Sequence, residues 1–335
     1  MFRVFKNRVL KRYNTFHTGG KTAFFAEINS THDLKKAIDF ANKNRVGIFI
    51  LGGGSNILLP DKKINKLVLK INIKGIAIKN NKILAGAGET WDLVVSKAVS
   101  KKLGGIENLS LIPGTVGGAV YQNIGAYGVE LKDVLESVKV FDIRTGSIRN
   151  LLNKECQFNY RDSVFQHQEG SSYLIVEAII KLNRKLTFNL GYPGLASYFY
   201  KKSPDIQQVR GAVIRIRKSK LVYPTKNVGT VGSFFKNPVI KVKDYRLLAA
   251  NHPDIKGRDI GHNLIKLSAG QLIEKAGWKG KRMGNVGVSS KHALVLVSYK
   301  GSTTKDIIKL SKTIQKEVKN KFNVRLEPEV KIIVG

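Results

Sequence analysis

The sequence predicts an α+β protein of two or three domains, and three observations predict it. A chain of 335 residues with 42% apolar residues can bury a sizeable core and is long for a single one. Helical and strand-like periodicities follow one another along the first two thirds. Beyond Tyr223 the character changes to a stretch rich in Gly, Pro and Asn, which sets a domain boundary near residue 220. No internal repeat or low-complexity linker offers another boundary.

The elements follow in order. From Ser30, the segment STHDLKKAIDFANKN places Leu34, Ala37, Ile38 and Ala41 on one face behind a Ser/Thr cap, which predicts a helix. A short strand, Gly47–Leu51, then runs into Gly52-Gly53-Gly54-Ser55-Asn56, a helix-then-strand order typical of α/β units. Residues 66–88 alternate around an Asn80-Asn81 turn and read as a hairpin, and Thr90 caps a helix over 91–103. Strand-like segments at 138–143, 147–151 and 173–182 follow, the first two joined by the turn Arg144-Thr145-Gly146, so this middle region is α+β. Ser203-Pro204 starts a helix with Ile206, Val209, Val213 and Ile214 on one face. The last third reads as a short helix over 268–276, a strand at 293–298, a long helix over 304–321 and a strand at 328–334, expected to return to the first domain.

Composition limits the chemistry. A single cysteine, Cys156, rules out an internal disulfide, a CxxC redox pair and a thiolate metal site. The six histidines are scattered with no pair at ligand spacing, so no metal is expected and any electron transfer needs an organic cofactor. The basic opening segment MFRVFKNRVLKRYNTF lacks the apolar run of a signal peptide, and no stretch reaches the ~18 apolar residues of a membrane span, which predicts a cytoplasmic protein.

The formal net charge of +34 could serve nucleic acid, a membrane surface or anionic small molecules. Its lysines are spread along the chain, with no zinc finger, helix-turn-helix or RNP pattern beside them, and read as solvated faces. A residual positive field still favours polyanionic ligands.

Two glycine-rich stretches carry the strongest local signal. LGGGSN ends a strand, where small residues let backbone N–H groups turn toward phosphate oxygens. It has neither GxGxxG spacing nor a following GK[ST], so it is not a Rossmann turn or a P-loop, and by itself it is equally a tight turn. ENLSLIPGTVGGAVYQNIGAYG, residues 107–128, combines glycines with little charge, as in a loop packed against a large flat ligand rather than a solvated linker. Together they predict an enzyme holding a pyrophosphate-bearing cofactor.

LGGGSN, LIPGTVGG, QNIGAYG and FNYRDSVF, in this order, resemble the FAD-binding half of the UDP-N-acetylenolpyruvoylglucosamine reductases, also called UDP-N-acetylmuramate dehydrogenases. GSFFKNP at 232–238, AGQLIEKAGWKG at 269–280 and RLEPEVKII at 325–333 extend the resemblance over nearly the whole chain. It implies a two-domain FAD-binding module of the PCMH or vanillyl-alcohol-oxidase type followed by a C-terminal α+β substrate domain. The implied division is 1–70, joined by the C-terminal strand 323–335, then 71–220, then 221–322. The implied activity is NADPH-dependent reduction, through non-covalent FAD, of UDP-N-acetylglucosamine enolpyruvate to UDP-N-acetylmuramate in peptidoglycan precursor synthesis. A monomer that inserts into no membrane and binds no nucleic acid goes with it.

Site residues are carried over by motif. Gly52, Gly53, Gly54, Ser55, Asn56, Pro113, Gly114, Gly117, Gly118, Gly125 and Tyr127 fall in the FAD motifs. Arg161 matches the arginine that meets the substrate carboxylate, although by its neighbours alone it is also a surface arginine paired with Asp162. Ser233 matches the proton donor to the carbanion, and GSFF is by itself also a turn with aromatic core anchors. Glu329 matches the active-site acid; on a strand it shares a face with Glu327, and only the resemblance chooses between them. Tyr192, Arg217, Lys220, Asn237 and His292 are implied substrate contacts, with Pro193-Gly194 departing from the usual residues after the tyrosine and His292 standing where some relatives have glutamine. An FAD-dependent oxidase sharing the cofactor half is the competing enzyme, but it has no use for Arg161, Ser233 and Glu329 together. A basic nucleic-acid-binding protein is the competing non-enzyme, and it leaves the glycine stretches without a purpose.

Overall fold

The computed structural model describes residues 2–333. The chain forms two compact units: residues up to Arg8, Thr22–Gly54 and Asn65–Arg217 make the first, and Val9–Lys21, Ser55–Ile64 and the chain from Lys218 onward make the second.

In the first unit, a four-stranded sheet runs in the order Val4–Val9, Lys21–Ile28, Ile64–Ile71, Gly47–Leu51. A five-stranded sheet runs in the order Ile148–Leu152, Leu135–Asp142, Tyr173–Lys181, Lys82–Gly86, Ile76–Lys79. The first helix forms where expected, over Thr31–Lys43: Ser30 Oγ accepts the Asp33 N–H at 3.1 Å, which satisfies one of the orphan donors of the first turn. Its Leu34, Ala37 and Ala41 join Ala26, Ile28, Leu67 and Leu69 in one core, each large aliphatic side chain contributing roughly 1.5–3 kcal/mol.

The alternation over 66–88 is two structures, not one hairpin. Ile64–Ile71 pairs in parallel with Gly47–Leu51, with Lys66 opposite Gly47, while the hairpin is Ile76–Lys79 with Lys82–Gly86. Gly75, at φ +124°, turns the chain between them, a conformation glycine adopts without a Cβ clash. The helix after Thr90 spans Trp91–Ser100 rather than reaching 103, because Lys102 takes the left-handed conformation and Leu103 N–H closes on the Ala98 carbonyl at 2.9 Å. Thr90 gives no side-chain cap. Its backbone bridges Thr115 instead.

The second unit holds a four-stranded sheet in the order Val228–Gly229, Leu296–Tyr299, Val286–Val288, Arg282–Met283 and a three-stranded one in the order Val239–Lys241, Leu264–Leu267, Gly257–Asp259. The long helix, Thr304–Phe322, opens on a reciprocal capping box between Thr303 and Asp306 and buries Ile307, Leu310, Ile314, Val318 and Phe322. A helix at Val242–Asn251, which the periodicity does not announce, buries only Leu248. Among the described residues the C-terminal strand is Lys331–Ile332, parallel to Ile57–Leu58, with residue 334 of the expected strand outside them; Pro328 forms an isolated bridge to Phe235 and residues 329–330 bend. Among the described residues no helix is long and apolar enough to cross a membrane.

Candidate active site

The two glycine loops lie against each other. A Cβ on Gly53 would stand 2.8 Å from Gly114 Cα, and one on Gly52 would stand 3.1 Å from Thr115 Oγ1. The second loop is in turn fixed to the chain before it: Trp91 N–H donates to the Gly114 carbonyl at 3.1 Å, Val116 N–H to Glu89 at 2.9 Å and Gly117 N–H to Ala87 at 2.9 Å. A Cβ on Gly117 would stand 3.1 Å from Ala87 Cβ, and Thr115 caps the short helix Val116–Tyr121 by accepting the Gly118 N–H. Pro113 is exposed, just ahead of the left-handed Gly114.

On the first loop, Gly54 is buried at φ +66°, and among the described residues nothing accepts its N–H or that of Gly53. Adjacent backbone N–H groups with no acceptor, on glycines that let a ligand approach closely, suit phosphate oxygens. These residues therefore fit the pyrophosphate of FAD. Beyond the glycines, Ser55 is half-buried, and Asn56 Nδ2 donates to the Glu329 carbonyl at 3.2 Å.

Asp162 gives one carboxylate oxygen to His167 Nε2 at 2.7 Å and the other to Ser163 N–H at 2.9 Å, while Arg161 Nη2 reaches the Gly125 carbonyl at 2.6 Å. Arg161 has φ +56°, a left-handed conformation costing a non-glycine residue roughly 1–2 kcal/mol. The guanidinium is thereby held at the QNIGAYG loop. In that loop Tyr127 meets Tyr192 edge to face, centroids 5.0 Å apart, and Asn108 Nδ2 ties the carbonyls of Tyr127 and Asn189 together at 2.9 and 2.7 Å. Pro193 takes the first position of the helix Pro193–Tyr198, directly after Tyr192, where proline's fixed φ suits a helix start.

Ser233 and Glu329 lie on adjoining backbone in the second unit. Glu329 N–H donates to the Phe234 carbonyl and Lys236 N–H to the Glu327 carbonyl, both at 2.8 Å, and Ser233 itself bridges Val295. Phe234 and Phe235 are buried as aromatic anchors, Phe234 edge-on to Phe16 at 6.2 Å, so GSFF is both a turn and a means of fixing Ser233. Residues 329–330 bend rather than continue a strand, with Glu327 exposed and Glu329 half-buried.

His292 Nδ1 accepts the Leu294 N–H at 3.1 Å, which leaves the proton of the neutral ring on Nε2. Burial lowers its pKa, and the charges of Lys220 and Lys279 lower it further. Lys220, exposed at the end of the helix Ile206–Lys220, is thus within electrostatic reach of His292. Asn237 uses Oδ1 to accept the Ala269 N–H at 3.0 Å, so its amide NH2 is the end available to a ligand. In the first unit, Arg217 has a buried Nε with no hydrogen-bond partner among the described residues.

Lys70 was missed by sequence reading. Its ammonium donates to the Gly52 carbonyl, and burial, then the charge of Lys74, lower its pKa against an opposing effect of Glu27. In sequence nothing separates this lysine from its neighbours in KLVLKINIK; in the sheet it lies opposite Leu51, the residue before the first glycine loop.

Residues 22–152 match the FAD binding domain family, and residues 223–333 match the UDP-N-acetylenolpyruvoylglucosamine reductase C-terminal domain family. The chain is 40% identical to the UDP-N-acetylenolpyruvoylglucosamine reductase of Flavobacterium johnsoniae over 98% of both chains. It is 39% identical to that of Pseudomonas aeruginosa over 96% of both. The crystal structure of UDP-N-acetylenolpyruvylglucosamine reductase from Thermus caldophilus superposes with a TM-score of 0.73 at 26% identity, covering all of both chains.

Proposed function

Because the chain belongs to the UDP-N-acetylenolpyruvoylglucosamine reductases, we propose that Ser233, Arg161 and Glu329 carry the chemistry of its reaction. The enzyme is an FAD-dependent oxidoreductase that reduces UDP-N-acetylglucosamine enolpyruvate with NADPH in peptidoglycan synthesis. Bound FAD supplies the hydride chemistry, between NADPH and the vinyl methylene carbon of the substrate.

Hydride addition leaves negative charge on the neighbouring carbon and its carboxylate. Arg161 offers that carboxylate two parallel N–H donors from a planar guanidinium, and its bond to Gly125 supports a fixed orientation. Ser233 delivers a proton from Oγ to the carbanion; a hydroxyl is a weak acid, but a carbanion is a far stronger base. Glu329 acts as the active-site acid. Tyr192 and Lys220 hold the diphosphate, with Arg217 nearby, and Asn237 and the Nε2–H of His292 donate to the rest of the substrate. Gly52 to Asn56, Pro113 to Gly118, Gly125 and Tyr127 hold the cofactor.

The observation that carries this reading is the hydrogen bond from Glu329 N–H to the Phe234 carbonyl, which joins the Ser233 turn to the Glu329 bend. The proposal includes the three-part division at residues 1–70 with 323–335, 71–220 and 221–322. It also includes a monomeric, cytoplasmic enzyme whose excess of lysine serves solvated faces rather than nucleic acid. A yellow preparation whose sustained turnover of NADPH needs the enolpyruvyl substrate is the expected result; a colourless protein that takes up no FAD would overturn the reading.

A further inference from the structure

One network of the first unit plays no part in the chemistry above. Asp92, in the helix Trp91–Ser100, receives both arms of Arg210, from the helix Ile206–Lys220, at 2.8 and 2.9 Å. Arg210 Nη1 also donates to Ser110 Oγ at 2.9 Å, and Ser110 Oγ donates to the Glu107 carbonyl at 2.6 Å. The same Asp92 oxygen accepts the Leu111 N–H at 2.6 Å. The two side chains are only 15% and 25% exposed, so water competes weakly for these bonds. Burial by itself would raise the Asp92 carboxyl; the bonds from Arg210 and Leu111 outweigh it and hold it below the usual carboxylate range.

Leu111 is the reason the network matters. Its φ is +58°, a left-handed conformation that a leucine resists because its Cβ crowds the following carbonyl. Three residues later comes Gly114, whose Cα lies against Gly53. Trp91 holds both flanks of this turn, Nε1–H on the Leu109 carbonyl at 3.0 Å and backbone N–H on the Gly114 carbonyl at 3.1 Å. An unfavourable backbone conformation persists only where its surroundings enforce it. Asp92 is the side chain that binds the Leu111 peptide directly, and Arg210 is what holds Asp92 in place.

We propose that Asp92 and Arg210 are a positioning pair that enforces the left-handed turn at Leu111 and thereby sets Pro113–Gly114 at the position FAD binding requires. The proposal rests on the assignment of the second glycine loop to FAD. Neither residue touches the cofactor in this scheme. Both act through the backbone of residues 110–114.

The test is FAD affinity, titrated on the full-length apoprotein by flavin absorbance, for Asp92→Asn, Arg210→Gln and the milder Arg210→Lys. Each is expected to raise the FAD dissociation constant, tenfold or more for the first two and less for the third. Adding Leu111→Gly to Asp92→Asn is expected to recover most of that loss, since glycine adopts the left-handed turn unaided. A merely structural role predicts the reverse, because Leu111→Gly removes a half-buried side chain and loosens the unfolded chain. Unchanged affinity in Asp92→Asn and Arg210→Lys, or no recovery on adding Leu111→Gly, overturns the positioning role. Gly114→Ala, at φ +116°, separates the two levels: if it weakens FAD binding while the Asp92 and Arg210 variants do not, only the inference fails. If Gly114→Ala leaves FAD binding unchanged, the loop assignment fails and the inference with it.

Discussion

Gly53 and Gly114 meet backbone to backbone, with 2.8 Å between the Gly114 Cα and the place where a Gly53 Cβ would stand. That distance is well inside van der Waals contact, and the listener on the other side is main chain, which cannot rotate away. Gly53→Ala is therefore expected to force the loops apart at a cost of about 1–3 kcal/mol and to weaken FAD binding by roughly 5- to 150-fold. An FAD titration of the variant measures this directly, and wild-type affinity would show that the loop contact does not shape the cofactor site.

Lys70 gives a pH signature. Its folded pKa lies below the ordinary lysine value of 10.5, so the unfolded chain binds more protons between the folded value and 10.5. Stability contributed through Lys70 therefore rises with pH across that window. Lys70→Met removes this dependence. The melting temperature of wild type relative to Lys70→Met is expected to climb as the pH is raised toward 10.5; a constant difference would contradict the buried ammonium on Gly52.

His292 carries the same sign at lower pH. Its folded pKa is depressed from 6.5, so stability through this residue is full above 6.5 and is lost as pH falls from 6.5 through the folded value. His292→Gln keeps an N–H donor without the titration. The variant is expected to retain most of its turnover and to lose less stability than wild type when acidified. Loss of turnover near neutral pH in His292→Gln would show that the imidazole itself is needed.

Arg161→Lys keeps the charge but loses the two-pronged geometry. A fall of about 10²-fold in kcat/KM for the enolpyruvyl substrate is expected, on the scale of losing one oriented donor to developing charge. Near-normal turnover would contradict the carboxylate role.

Much of this molecule is legible in its sequence where local physics decides. The Ser30 cap, the apolar face of Thr31–Lys43, the strand Gly47–Leu51 and the amphipathic helix Thr304–Phe322 are each specified within a few turns of chain. What was misread depends on partners distant in sequence. Residues 66–71 alternate like a hairpin strand yet pair with Gly47–Leu51, and only Gly75 marks the break. The helix Val242–Asn251 buries a single leucine, too little for its periodicity to stand out. At the site, strand geometry alone could not choose between Glu327 and Glu329, and the chain bends at 329–330 where the periodicity reads a continuous strand. Lys70 and Asp92 were invisible because their partners, Gly52 and Arg210, are 18 and 118 residues away.

The most direct test of the proposed chemistry is stopped-flow measurement of the two half-reactions in Ser233→Ala. With Ser233 as proton donor to the carbanion, reduction of the flavin by NADPH is expected to stay close to wild type. Reoxidation by UDP-N-acetylglucosamine enolpyruvate is expected to slow by about 10²- to 10⁴-fold. Equal slowing of both half-reactions, or none in the second, would contradict it.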